Sequence, residues 1–314
     1  SDGIYLDVSK FEKYGNLSGK KLDEQVAGAR IAVDTEKRSP EDFALWKKAE
    51  KGHIMQWESP WGMGYPGWHI ECSAMSKKYL GEVFDIHSGG VDHIPIHHEN
   101  EIAQNEALAD KQTVNYWMHA EFMLVDGGKM SKSLGNTYTI KDLEDRGYDA
   151  LDFRYFCLNA HYRKKLNFTF EGMDMAKTAR ARLNAALLEH KESSNKTDPK
   201  IIKEYEDKFI AAVEDDVNAP LALGILFTAI KEPKSKDIYE LALRFDKFLA
   251  LSFDKIKKEQ EDAIPEEIIA LANSRAEAKK ARDFKKADAI RDEIDAKGYS
   301  ILDTREGYTI KKKV

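Results

Sequence analysis

Cysteine is nearly absent. Cys72 and Cys157 are the only two in 314 residues. Two thiols make no disulfide framework, so a reducing, cytoplasmic setting is expected. No apolar run approaches membrane-spanning length, and no membrane partner is expected. The opening SDGIYLDVSK lacks a basic region followed by an apolar core, so no secretory leader is read there. Repeats and low-complexity tracts are missing as well. So is any general excess of positive charge: the formal net charge is −6, which argues against a surface coated in phosphate contacts. The imbalance is local instead. Residues 275–314 carry 12 Lys/Arg against 8 Asp/Glu, which suits one nucleic-acid contact and equally a solvated helix with a basic tail.

What is present is a globular composition, 42% hydrophobic and 33% charged, on a chain long enough for two or three domains. Residues 1–50 read as a connector with turn signals at Tyr14-Gly15-Asn16 and Ser18-Gly19. Phe43 and Trp46 should pack onto the next domain. Pro60, Gly62, Gly64, Pro66 and Gly67 argue for a shaped loop rather than regular structure. A helix is expected from Trp68 to Leu80, stopped by Gly81. Val83 to His87 reads as a short buried strand, Ser88-Gly89-Gly90 as the turn after it, and Ile96 to Leu108 as a helix. Tyr116 to Val125 reads as one buried strand running into the turn Asp126-Gly127-Gly128. From Leu151 the pattern becomes helical, with a linker over His190 to Lys200. Helical spacing over Ile201 to Ile230 and Ile238 to Leu251 predicts a bundle. A hinge is expected over Ile256 to Pro265. Two helices, Glu267 to Lys280 and Phe284 to Lys297, precede a hairpin from Tyr299 to Ile310 and a lysine tail.

The chemistry concentrates between Gly67 and Asn136. His97 and Glu101 lie four apart in HHENEIAQNEAL, so on a helix they share a face. Cys72 lies upstream across a helix, strand and glycine turn that can fold it back. Thiolate, imidazole and carboxylate are ligands that zinc accepts together. Spacing alone leaves a second reading open: Cys72 as a small buried hydrophobe and His97/Glu101 as an exposed helical pair. Helix, strand, glycine turn, helix is α/β grammar, and ligands bind such sheets at the carboxyl ends of strands. Asp92 falls there, able to take an ammonium group or to cap a turn. Lys129-Met130-Ser131-Lys132-Ser133 sits on a mobile glycine-flanked loop. Two ammonium groups there suit a polyphosphate, or else a solvated basic loop.

Together these stretches resemble the cysteinyl-tRNA synthetases, a class I aminoacyl-tRNA synthetase family. The resemblance rests on SPWGMGYPGWHIECSAM (Ser59 to Met75), DIHSGGVDHIPIHHENEIAQ (Asp85 to Gln104), KMSKSLGN (Lys129 to Asn136), DDVNAP (Asp215 to Pro220) and the C-terminal DFKKADAIRDEI…GYSILDTREG. It covers nearly the whole chain. It implies the second half of a class I, Rossmann-like α/β parallel-sheet catalytic domain, then an α-helical bundle and a small mixed α/β C-terminal domain. The corresponding segments are residues 1–50 (end of a connecting insertion), 51–140 (catalytic half with zinc site and signature loop), 141–172 (stem contact), 173–258 (tRNA-docking bundle) and 262–314 (anticodon reading).

The resemblance also implies roles. Cys72, His97 and Glu101 match zinc ligands. Trp68 and Asp92 match residues that hold the substrate cysteine, Asp92 through its ammonium group. Lys129 and Lys132 match the catalytic lysines of the signature loop. Met130, Ser131, Lys132, Ser133, Gly89 and Gly90 belong to the nucleotide side. The implied partners are L-cysteine, ATP with magnesium, and the cognate cysteine tRNA, for a monomer. The family's fold has a first half, carrying a HIGH-type ATP motif and one more cysteine ligand, that is expected ahead of Ser1. No HIGH-like tetrad occurs in this sequence, and Cys157 lies in the helical region. Two alternatives accompany the resemblance: a non-catalytic tRNA- or zinc-binding fragment, and the ligase joining cysteine to glucosaminyl-inositol, which should lack the long C-terminus kept here. Ile310 stands where the family's last strand should carry an aromatic, which weakens base stacking at that point.

Overall fold

The computed structural model describes residues 2–19, 37–257, 264–304 and 307–312. The chain divides into two compact units, Ser1–Asp254 and Lys255–Val314.

The first unit opens with an antiparallel sheet in the order β1 (Gly3–Leu6), β2 (Phe43–Lys48), β3 (Gly64–Pro66). Residues 1–50 are therefore more than a connector, and the glycine–proline stretch holds a strand. Buried Asp42 ties the sheet to the turn after β1. Its carboxylate accepts from the backbone of Val8 at 3.2 Å and of Ser39 at 3.1 Å. Gly64 permits β3 to approach: a Cβ there would strike the Lys47 carbonyl and the Trp46 ring. As expected, Phe43 packs inward, edge-on to the His69 ring at 5.5 Å.

Helix α1 (Trp68–Leu80) spans the expected residues and stops at Gly81, whose φ is 96°. Strand β4 (Phe84–Gly90) pairs in parallel with β5 (Val114–Ala120). The crossover is a 3-10 turn (Val91–His93), a π turn (Ile94–His98) and α2 (Glu99–Ala109). Pro95 lacks an N–H, which suits the widened turn. Two expectations fail at β4. The strand is not buried, since Ile86 is 56% exposed. Gly89 and Gly90 extend the strand rather than turn it. Gly89 is needed for close approach instead: a Cβ there would lie 2.6 Å from the His98 ring and 2.8 Å from His93.

The single strand expected over Tyr116 to Val125 is two strands in different sheets. The Glu121 amide donates to the Tyr162 carbonyl at 2.8 Å, which turns the chain out of β5. Strand β6 (Met123–Val125) then lies between β7 (Gly128–Lys129) and β8 (Leu166–Phe168). Asp126 at φ 49° and Gly127 at φ 75° make the tight hairpin turn.

Helices α3 (Ile140–Asp145) and α4 (Ala150–Leu158) each start with a capping box, from Thr139/Asp142 and Asp149/Asp152. The bundle follows as α5 (Phe170–Glu192), α6 (Pro199–Glu214), α7 (Ala219–Ala229) and α8 (Lys236–Leu249). Leu183, Leu187, Leu226, Ile238, Leu241 and Leu249 are fully buried in it. Phe209 stacks on Phe245 at 3.8 Å. The expected helical run over Ile201 to Ile230 breaks at Asp216 (φ 53°) and Val217 (φ 57°). His190 belongs to the last turn of α5 rather than to a linker. Its Nδ1 accepts from the Ser235 amide at 3.0 Å, and its Nε2 donates to the Ile230 carbonyl at 3.1 Å.

The second unit holds α9 (Glu266–Lys280), α10 (Phe284–Ala296) and the antiparallel hairpin β9 (Tyr299–Thr304) and β10 (Gly307–Lys312). Ile268, Ala272, Ile290, Ile294 and Ile301 form its core, with Ile310 packed against them. Lys311 and Lys312 lie in β10 rather than in a tail. The middle of the hinge expected over Ile256 to Pro265 lies outside the described residues. No helix among the described residues is long and apolar enough to cross a membrane.

Candidate functional site

Helix α2 carries the site, and the N-terminal segment holds that helix in place. Glu99 is completely buried at its start. Its carboxylate accepts from the amides of Gly15 at 3.0 Å and Ser18 at 2.7 Å. Next to it, the Tyr14 hydroxyl donates to the Asn100 amide oxygen at 2.5 Å. On the other side Gln104 donates to Ser73 of α1 at 2.8 Å. Ser73 is next to Cys72, so this contact brings Cys72 of α1 up to His97 and Glu101.

The thiol, imidazole and carboxylate donor atoms of these three residues all lie within 4.8 Å of one another. His97 and Glu101 are at most 4% exposed. The His97 Nε2 stands 2.7 Å from Glu101 Oε1, yet that buried oxygen receives no hydrogen bond of acceptable angle. The two atoms stand close beside the Cys72 thiol without a well-aligned hydrogen bond, an arrangement that suits ligands of one ion. His97 Nδ1 is occupied on its far side by His69 Nδ1 at 2.8 Å, which leaves Nε2 for the ion. The donor set fits zinc.

The electrostatics agree with a cationic ligand. Burial alone would raise the Glu101 carboxyl, but contacts with His87 and His97 outweigh it and hold it at about 2. Burial, and then Glu101 and Glu71, push the Cys72 thiol up. That thiol must lose its proton to ligate, so metal uptake releases a proton. Burial, reinforced by His97, pulls His69 down to about 4. Burial pulls His98 down to about 3 against the attraction of Glu101. Both rings are neutral at pH 7.

The remaining expected residues fall in two places. Trp68 is 56% exposed and stacks on the His97 ring at 4.5 Å. Asp92 lies at the carboxyl end of β4, half-buried, beside Gly90. Among the described residues it caps neither the 3-10 turn that contains it nor the π turn that follows. Trp68, Cys72, Gly89, Gly90, Asp92, His97 and Glu101 thus surround one corner. The Lys129–Ser133 loop belongs to the other sheet, and none of its hydrogen bonds among the described residues reaches that corner. Asn136 ties this loop, accepting from the Ser131 amide at 2.8 Å and donating to the Lys129 carbonyl at 3.0 Å. Lys129 and Lys132 are exposed.

Sequence reasoning missed the ring of histidines behind the triad. His87 Nε2 stands 3.3 Å from Glu101 Oε2, and His98 Nδ1 lies 2.8 Å from His119 Nε2. Donor atoms of His87, His98 and Glu101 also lie within 4.8 Å of one another. One signal was available: of nine histidines, His69, His87, His93, His97, His98 and His119 all fall in one short stretch.

Residues 1–178 match the family model described as the class I tRNA synthetase (C) catalytic domain. The fold is that of a class I aminoacyl-tRNA synthetase domain, mixed α/β with several sheets. Curated relatives narrow this. The cysteine–tRNA ligase of Treponema denticola is 43% identical over 99% of this chain and 69% of its own length. That of Thermococcus onnurineus is 44% identical over 100% of this chain and 71% of its own. That of Opitutus terrae is 45% identical over 99% and 68%. The chain belongs to the cysteine–tRNA ligase family. A solved LeuRS–tRNA–LeuAMS ternary complex from Agrobacterium radiobacter K84 overlaps 64% of this chain and 33% of its own at 16% identity, with a TM-score of 0.48.

Proposed function

We infer that the enzyme joins L-cysteine to its cognate tRNA at the expense of ATP. In the first step a cysteine carboxylate oxygen attacks the α-phosphorus of ATP. An acyl–phosphate bond forms and pyrophosphate leaves. In the second step a hydroxyl of the tRNA terminal adenosine attacks the acyl carbon. An ester forms and AMP leaves. The observation that carries this reading is the convergence of Cys72, His97 and Glu101 beneath the exposed face of Trp68.

Cys72, His97 and Glu101 would hold zinc. A bound zinc ion would supply a Lewis-acidic anchor that favours a substrate thiol as its thiolate. The chain's own residues do the rest. His69 fixes the His97 ring so that Nε2 faces the ion. Trp68 walls the corner and limits water. The uncapped carboxylate of Asp92 takes the substrate ammonium group. Serine, with a harder and less acidic hydroxyl, forfeits the metal bond, so selection rests on losing one strong interaction. Lys129 and Lys132, with Met130, Ser131 and Ser133, would face the triphosphate and oppose charge developing on its oxygens. Gly89 and Gly90 would let the nucleotide side approach the strand end. Residues 51–140 serve as the second half of a Rossmann-like catalytic domain and 141–172 as the stem contact. The bundle of 173–258 docks tRNA, and the unit over 262–314 reads the anticodon. Retention of that last unit favours tRNA over glucosaminyl-inositol as acceptor.

Two variants separate the two halves of the site. Cys72→Ser is expected to lose bound zinc, and unchanged zinc content would sink the ligand assignment. Lys132→Ala is expected to keep its zinc but slow pyrophosphate exchange on the order of a hundredfold. A normal exchange rate there would remove the lysine from the ATP site.

A further inference from the structure

The segment after α4 reaches across to the loop between α6 and α7. Arg163 donates to Asp216 through Nε at 2.5 Å and Nη2 at 3.1 Å. Tyr162 donates its hydroxyl to the same carboxylate at 2.5 Å, and His161 stands 3.8 Å away. Asp216 receives these groups while held at φ 53°, and Val217 follows at φ 57°. A β-branched residue in the left-handed region is an outlier. Such conformations persist where the surroundings over-determine them, and they gather at functional positions.

Beside this contact lies a cavity of about 580 Å³. Ala120 of β5 and Met123 of β6 wall it on the sheet side, Cys157 of α4 beside them, and Val217, Ala219 and Phe248 on the bundle side. Sheet and bundle meet elsewhere through buried Phe168, which packs on Phe156 and Phe170, but at this groove they are apart. Discrete polar ties cross it. One is the Arg163/Tyr162–Asp216 cluster. Another runs from α4 to the end of α8, where Arg154 Nε donates to the Leu249 carbonyl at 2.5 Å.

We propose that Arg163, Tyr162 and Asp216 form a strut that sets the helical bundle against the catalytic sheet for acyl transfer to tRNA. The proposal rests on the reading that the bundle docks tRNA. These are positioning residues, since none touches the reacting atoms. Arg163 is 57% exposed and Asp216 is 43% exposed. Ion pairs this open contribute little to folding, so the strut's effect lies in geometry. Adenylate formation uses no tRNA and is indifferent to where the bundle stands. Transfer is not, because small displacements of a bound substrate are costly in rate.

The test is Asp216→Ala and Arg163→Ala in the full-length enzyme, with both half-reactions followed. Pyrophosphate exchange and melting temperature are expected to stay at wild-type values. The kcat/KM for tRNA charging is expected to fall about tenfold or more. Arg163→Lys, which keeps one cationic contact, is expected to recover most of the loss. Wild-type charging by Asp216→Ala overturns the strut, and so does an equal loss in both half-reactions. The docking reading is checked apart, by the tRNA affinity of Arg182→Glu on the exposed face of α5. A drop supports it, and no change removes the ground on which the strut stands.

Discussion

The two oxygens of Glu101 have different neighbours, and that difference explains the residue's burial. Oε1 faces His97, while Oε2 faces His87. A carboxylate this deep is kept charged by its contacts. The neutral histidines around it carry a cost that depends on pH. His69 and His98 ionise near 4 and 3 when folded, against about 6.5 in an unfolded chain. Below pH 6.5 the unfolded chain takes up protons that the folded chain refuses, so stability falls with falling pH. The loss amounts to about 2–3 kcal/mol per histidine by pH 4.5, with titrating carboxylates adding to the pH dependence there. Urea unfolding of the metal-free chain at pH 7 and 4.5 measures this, and a flat profile would contradict it. His97 and Glu101 were legible as a pair because residues four apart on a helix share a face, whereas Cys72 joined them through the family resemblance. His69, His87 and His98 were not legible as the triad's supports. Their contacts depend on how α1, β4 and α2 stack, and sequence spacing does not encode that.

Among the elements, helices were easier to read than strands. Helix α1 ends at a glycine that only a left-handed stop requires, and α9 and α10 are separated by a short polar break. Strands β1, β2 and β8 are short and lack a sustained alternation, so they resemble loops. Gly89 was misread because glycine signals both turns and close approaches, and only the His98 ring tells them apart. The α6–α7 loop hides its strain in the same way, since nothing in DDVN announces a left-handed valine. Val217→Gly should relieve about 1–2 kcal/mol of backbone strain. The greater freedom of glycine in the unfolded chain offsets about 0.5–1 kcal/mol of that. A net gain on the order of 0.5–1 kcal/mol is therefore expected from denaturant titration. Destabilisation would mean that Val217 contributes more by packing at the cavity wall than its conformation costs.

At the level of the whole molecule, each unit has its own core, and substitutions should stay local. In the second unit Asp303 accepts from Arg275 at 2.8 and 3.1 Å and from Lys279 at 2.7 Å. These bonds, Arg275 first, hold the carboxyl well below its usual range. Arg275 is only 6% exposed, so Asp303→Asn leaves a nearly buried cation under-paired at about 1–3 kcal/mol. Hydrogen exchange should speed up in α9 and β9 and remain unchanged in α5 and α8. Faster exchange in both would refute the locality. The division into two units could be anticipated from the charged, proline-containing stretch near Pro265. The separate sheets of the first unit could not, because the Glu121 amide that splits them is an ordinary backbone group. In the bundle, the His190 ring joins the end of α5 to the end of α7 and the start of α8. Its two nitrogens are satisfied only when all three helices are in place, so the ring works as a logical conjunction. Undocking any one of these helices breaks a hydrogen bond of a ring that the folded bundle buries, so three helices are coupled through one side chain.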